Sequence, residues 1–166
     1  RSVLVDHELS GILIGATLAT KAEDGYRALL EATAFGTRKI VETFREAGVD
    51  VEEYIVAGGL IKNHFLMQLY SDVTRLPLSV LESEQGPALG SAIHAAVAAG
   101  SYANVRDAAE AMGRVSKSLY VPNEVQAAKY DRLYAEYEIL HDYFGRGAND
   151  AMKRLKAMRR EALDVS

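Results

Sequence analysis

Residues 54–68 constrain the fold more than any other part of the chain. Tyr54-Ile55-Val56-Ala57 is a short apolar, β-branched run and reads as a buried strand. It ends in Gly58-Gly59, and Asn63 stands where a helix N-cap belongs, ahead of His64-Phe65-Leu66-Met67-Gln68-Leu69-Tyr70. Paired glycines let a ligand approach the backbone, because no side chain stands in the way. The following helix would offer unpaired N–H groups and a positive dipole end, which suit phosphate. Asn63 carries donor and acceptor groups and could cap the helix or read a base. The spacing is neither GxGxxG nor the phosphate-loop pattern GxxxxGK. On pattern alone the segment is a tight turn or a nucleotide turn.

The flanking sequence predicts strands alternating with helices, and so an α/β fold. Residues 1–15 read as strand or extended chain with a turn at Ser10-Gly11. Thr20-Lys21-Ala22-Glu23 has the form of a capping box, opening a long helix over residues 21–47 that Gly48 terminates. Its apolar face is expected to hold Tyr26, Leu29, Leu30, Thr33, Ile40, Val41 and Phe44. Gly25 and Gly36 weaken that helix and suggest close packing. Leu78-Ser79-Val80-Leu81 after Pro77 predicts a second strand near a sheet edge. Gly86-Pro87 opens a helix dense in small residues, to about residue 99. From there the chain reads as helical over residues 104–112, 123–144 and 150–163. Tyr130, Tyr134 and Tyr137 share one face of the second of these, and Ala151, Leu155, Met158 and Ala162 one face of the last. The expected organisation is an α/β core over residues 1–100 and a helical extension over 101–166.

Composition removes several classes of function. The 166 residues include 23 acidic and 19 basic side chains, a net charge of −4, so the overall positive field of a nucleic-acid binder is absent. No nucleic-acid or membrane partner is expected, since no apolar run reaches the roughly 18 residues of a membrane span. Zero cysteines exclude a disulfide framework, a thiolate zinc site and a cysteine nucleophile, and fit a reducing, cytoplasmic setting. Of the histidines, His7, His64, His94 and His141, no pair has zinc-helix spacing, and no metal site is expected. His94 among alanines reads as a packed core histidine, and His141 beside Asp142 as a surface histidine near a helix end. Glu82 and Glu84 read as solvated loop carboxylates. Lys153, Arg154, Lys156, Arg159 and Arg160 read as a solvated helix face. The first residue is Arg1, which suggests a piece of a longer chain. An exposed sheet edge in such a piece predicts self-association, and a homo-oligomer is one outcome.

Three stretches carry a resemblance. Gly11-Ile-Leu-Ile-Gly-Ala-Thr17 with Tyr26-Arg-Ala-Leu-Leu-Glu-Ala-Thr-Ala-Phe-Gly-Thr-Arg38 resembles the C-terminal signature of the FGGY-family carbohydrate kinases. Ala57-Gly-Gly-Leu-Ile-Lys-Asn-His-Phe-Leu-Met-Gln68 with Tyr70-Ser-Asp-Val-Thr74 resembles their adenosine-binding turn and following helix. Ser83-Glu-Gln-Gly-Pro-Ala-Leu-Gly-Ser-Ala-Ile93 resembles the small-residue helix after it. Tyr134-Ala-Glu-Tyr137, His141-Asp-Tyr-Phe-Gly-Arg-Gly147 and Met152-Lys-Arg-Leu155 narrow the resemblance to a ketopentose-specific branch. The resemblance implies the C-terminal half of an actin-like, ribonuclease-H-like ATPase, lacking its first strands, with ATP and Mg²⁺ as cofactors. It places Gly58 and Gly59 against the α-phosphate or ribose, Asn63 at adenine, and Glu31 and Ala32 on the signature helix beside the adenine pocket. The family's general base is an aspartate of the first domain, and no residue here matches it. No catalytic residue is therefore expected in this chain, which alone should be inactive. Most sugar contacts are likewise expected from the first domain. His64-Phe65 and Arg75-Leu76 depart from the usual pattern at the pocket rim. The alternatives are a family member acting on xylulose or a polyol, and a non-catalytic assembly module.

Overall fold

Helix α1 (Ala22–Glu46) begins one residue later than a Thr20 cap requires. The Thr20 hydroxyl is spent on the preceding turn, accepting from the Thr17 backbone N–H at 2.8 Å. The Asp24 carboxylate instead accepts from the Lys21 N–H at 3.0 Å, so an acidic residue closes the first turn as the helix dipole favours. At the far end the chain leaves the helix through Gly48 at φ 80°, a left-handed conformation suited to glycine. A computed structural model of the chain describes residues 3–164.

These residues form two compact units. The first comprises residues 3–48 and 128–164. It contains α1, most of α5 (Glu124–Gly145) and α6 (Ala151–Asp164). Its core is aromatic. Phe35 of α1 packs among Tyr130, Tyr134 and Tyr137 of α5, with ring centroids 5.4–6.3 Å apart. Ala34 and Val41 are buried with it. The expected apolar face of α1 is corrected in part: Tyr26, Leu29 and Phe44 are exposed, Val41 is buried as expected, and Ala34 and Phe35 complete the buried stripe. Tyrosines carry polar tips, and those tips recruit charged residues of α1 to this face. Tyr134 donates to Glu42 at 2.6 Å, and the Arg38 guanidinium lies 4.2 Å from the Tyr134 ring centroid. Lys39 is buried and donates to Glu138 at 2.6 Å, which raises its pKa.

Residues 3–20 form neither strand nor helix, with turns at residues 3–4, 7–8 and 18–19; of the strand or extended chain expected there no strand forms, and the Ser10-Gly11 turn is absent. Apolar content makes a strand only where a partner strand lies alongside, and no partner pairs with this segment among the described residues. Arg1 and Ser2 of that reading lie outside the described residues. The side chain of Leu4 occupies the space a Cβ on Gly145 would need, 2.3 Å from its ideal position. On α6 the expected apolar face is also corrected: Leu155 and Met158 are exposed. The helix is held through charge instead. Lys153 pairs with Asp6 at 3.0 Å, Arg160 with Glu8 at 2.6 Å and Lys156 with Glu8 at 3.6 Å.

The second unit, residues 49–127, holds the sheet. Its strands are β1 (Tyr54–Val56), β2 (Leu78–Leu81) and β3 (Val115–Tyr120), in the spatial order β1-β2-β3. β1 and β2 are parallel, with Tyr54 opposite Leu78 and Val56 opposite Val80. Helix α2 (His64–Thr74) connects them and buries Leu66, Met67, Leu69 and Val73. β2 is the central strand, not an edge. Pro77 lies one residue before it, where no ladder N–H is needed, and its carbonyl accepts from the Tyr54 N–H at 3.1 Å. β3 pairs antiparallel to β2 and falls within the segment expected to be helical. Its ladder is irregular: Leu78 and Val80 face Tyr120 and Ser116. Ser118 takes up the slack at φ 48°, its N–H donating to the buried Ser79 hydroxyl at 2.8 Å. Helices α3 (Gly86–Ala98) and α4 (Val105–Met112) pack on each other as their small residues predict. His94 on α3 is exposed, not a core residue. Among the described residues no helix is long and apolar enough to cross a membrane.

Candidate functional site

The parallel β1–α2–β2 unit creates the most distinctive local geometry in the chain. In such a unit ligands bind at the carboxyl end of the strand, where the chain turns toward the helix. β1 ends at Val56, and Gly58 follows at φ 97°, ψ −173°. That conformation excludes every residue with a side chain except at the cost of strain, which explains the first glycine. A 3-10 turn over Gly59–Lys62 intervenes between the first glycine and α2, the short turn that the sequence predicts between the glycines and the capped helix. Nothing lies within 4 Å of where a Cβ on Gly58 or Gly59 would stand. No neighbour among the described residues requires Gly59 to lack a side chain, and its backbone is open to approach.

Asn63 closes the turn. Its side-chain carbonyl accepts from the Leu66 N–H at 3.0 Å and caps α2. Of the two roles open to Asn63, the cap is thus filled, and it uses the acceptor only. The side-chain amide is exposed and makes no hydrogen bond with another described residue, leaving two donors available. Beside the turn, Tyr54, Ile55, Val56, Ala57, Leu60 and Met67 border a hollow of about 290 Å³, where Tyr54 and Tyr70 stack with centroids 6.2 Å apart. His64, first residue of α2, hydrogen-bonds through Nδ1 to the Tyr120 hydroxyl. This ties α2 to β3.

Glu31 and Ala32 belong to the other unit. They sit on adjacent positions of α1 and line a groove of about 750 Å³ with residues of the N-terminal segment and α5. Ala32 is exposed, and the Glu31 side chain is only 16% exposed. Glu31 Oε1 accepts from Arg27 Nε at 2.8 Å and from the Tyr130 hydroxyl at 3.3 Å. The structure therefore brings Gly58, Gly59 and Asn63 together on one turn, and Glu31 and Ala32 together on one helix. Sequence reading missed Arg27 and Tyr130. The i,i+4 spacing of Arg27 and Glu31 was a usable signal; the Tyr130 contact was not legible, because it spans 99 positions.

The other candidates settle as follows. Glu82 accepts from Ser116 at 3.2 Å, and Glu84 lies 3.6 Å from Lys62 with both side chains 74% exposed, as solvated carboxylates would. His141 is corrected: its side chain is largely buried, and its Nδ1 lies 2.9 Å from Asp142. The basic cluster of α6 is not a purely solvated face, since Lys153, Lys156 and Arg160 are paired with Asp6 and Glu8. Among the described residues no three histidine or carboxylate groups converge to hold a metal ion.

Residues 1–99 match the model of the FGGY family of carbohydrate kinases, C-terminal domain. The chain is 60% identical to a ribulokinase of Mycolicibacterium smegmatis over 98% of its length, and 57% identical to a ribulokinase of Halalkalibacterium halodurans over 96%. It spans 29% of the length of each relative. Among solved structures, a xylulose kinase from Rhodospirillum rubrum superposes with a TM-score of 0.68 at 29% identity, covering 80% of this chain and 27% of that one. A ligand-bound xylulose kinase from Lactobacillus acidophilus superposes with a TM-score of 0.76 over 89% of this chain and 30% of that one; at 20% identity it speaks to the fold alone. The mixed helix–sheet architecture is that of sugar kinases of the actin-like ATPase fold. The chain belongs to the FGGY family of carbohydrate kinases, of which it carries the C-terminal domain.

Proposed function

We propose that this chain is the nucleotide-binding part of an L-ribulokinase, which transfers the γ-phosphoryl group of ATP to the 5-hydroxyl of L-ribulose. The products are ADP and L-ribulose 5-phosphate. The observation that carries this reading is the Gly58-Gly59 turn at the carboxyl end of β1, open to approach and closed by the Asn63 cap. Its kinship with ribulokinases at 60% and 57% identity supports the choice of sugar. The backbone of Gly58 and Gly59 lies against the α-phosphate or ribose, and the Asn63 amide donates toward adenine. Glu31 and Ala32 flank the adenine. Phosphoryl transfer depends on positioning and charge neutralisation more than on covalent participation by the protein. This chain contributes the positioning of the nucleotide. The first domain contributes the aspartate that takes the sugar hydroxyl's proton, and most of the sugar contacts. The nucleotide is used as its magnesium complex, MgATP. The enzyme works in the cytoplasm.

A coupled ATP-consumption assay on the full-length enzyme, run over a panel of ketopentoses and polyols, tests the reading. Turnover is expected to be strongest with L-ribulose. Stronger turnover with xylulose or a polyol would keep the kinase and replace the sugar. A folded enzyme with no turnover on any sugar would favour an assembly module.

A further inference from the structure

The carboxylate of Glu31 is held in an asymmetric way. Both of its hydrogen bonds fall on Oε1, from Arg27 Nε at 2.8 Å and from the Tyr130 hydroxyl at 3.3 Å. The Tyr130 hydroxyl in turn accepts from Arg27 Nη2 at 3.1 Å, so the three side chains close a ring. A tyrosine hydroxyl has one proton to give and lone pairs to receive, and this arrangement uses both. Burial first, and the neighbouring Glu31 charge after it, raise the Tyr130 pKa against the opposing pull of Arg27. The hydroxyl thus remains a donor at neutral pH. Arg27 pairs with Glu31 at 2.8 Å and balances its charge in a largely buried position. Oε2 takes no hydrogen bond from another described residue, and Glu31 lines the groove on α1 together with Ala32.

We propose that Arg27 and Tyr130 are positioning residues for Glu31, pinning one carboxylate oxygen so that the other faces the groove as an acceptor for a hydroxyl or amino group of the nucleoside. The proposal rests on the reading of Glu31 as part of the nucleotide site. It extends that site beyond the residues 1–99 that the family model matches, because Tyr130 comes from α5. The tail thereby takes part in nucleotide binding through a single hydroxyl. Tyr130 is buried to 6% exposure and its ring meets Phe35 edge-on at 6.3 Å, so removal of the hydroxyl leaves the packing in place.

The test is steady-state kinetics of the full-length enzyme at saturating sugar. Tyr130→Phe is expected to raise the KM for ATP about three- to tenfold, the size of one ordinary lost hydrogen bond, with kcat and the sugar KM unchanged. Arg27→Gln, at a side chain 55% exposed, is expected to do the same. Glu31→Ala should raise the ATP KM at least as much, and Tyr130→Phe added to Glu31→Ala should cost nothing further, because the positioned group is gone. An unchanged ATP KM in Tyr130→Phe beside a raised one in Glu31→Ala would overturn the positioning role and leave the site reading standing. Independent, multiplying effects in the double variant would make Tyr130 structural. An unchanged ATP KM in Glu31→Ala would remove Glu31 from the site, and the proposal with it.

Discussion

Gly58 and Gly59 look alike in sequence and differ in what they do. Gly58 holds φ 97°, which an alanine tolerates only under strain, while Gly59 has ordinary backbone geometry and open space around it. Gly58→Ala should therefore cost about 1–3 kcal/mol of stability through the backbone alone, since no neighbour obstructs the added methyl. Chemical denaturation of the full-length enzyme would measure it, and an unchanged midpoint would mean the turn adopts another conformation. Arg75 makes a related point. It ends α2 in the left-handed region at φ 55°, where glycine is the usual occupant. Its guanidinium pairs with Glu124 at 2.8 Å, so the departure from the family pattern at this position comes with a partner from α5.

Among the elements, the helices and the two parallel strands were legible in the sequence because their signals are local. Asn63, Asn104 and Asn123 each accept a backbone N–H at the start of a helix, as short polar residues before a periodic run predict. β3 was not legible: Val115-Ser116-Lys117-Ser118-Leu119-Tyr120 has little apolar alternation, and it is a strand because β2 offers an edge to pair with. The buried stripe of α1 was misread for a similar reason. Its partners on α5 are tyrosines, so the contact face includes Arg38, Lys39 and Glu42, which periodicity counts as solvent-facing. The glycine turn and its capping asparagine were readable. The ring around Glu31 was not, because it depends on residues from two distant helices. The docking of α6 is electrostatic in the same way. Glu8→Lys should loosen α6 by confronting Arg160 and Lys156 with a like charge, and Arg160→Glu should do so from the other side. The two together should restore much of the contact. Hydrogen exchange across residues 151–164 would report this. Equal protection in all three variants would mean that the ion pairs follow the docking and do not cause it.

At the scale of the whole chain, pH reads out the same contacts. The Asp6 carboxyl is held below its usual range by the Glu8 backbone N–H and then by Lys153, and that of Glu8 by Arg160 and then Lys156. A carboxylate lowered in the folded state contributes stability that is fully present above its ordinary pKa, here 3.8 and 4.5, and lost as pH falls through the lowered value. Lys153 is raised above 10.5 by Asp6, so its share is present below that pH and lost as pH rises through the raised value. Protection of α6 is expected to be level from about pH 5 to about pH 10 and to fall beyond both ends. The charged groups involved are solvent-accessible, so added salt should reduce the effect. A steady decline across the neutral range would assign the docking to some other titrating group.

The central claim is that the β1–α2 turn holds the nucleotide, and Gly59→Leu tests it most directly. Nothing lies within 4 Å of a Cβ placed at Gly59, so folding and melting temperature should be unchanged. With the full-length enzyme, the KM for ATP should rise about tenfold or more while the KM for the sugar stays as it was. An ATP KM equal to that of the unaltered enzyme would show that no nucleotide approaches this backbone, and would contradict the assignment of the site.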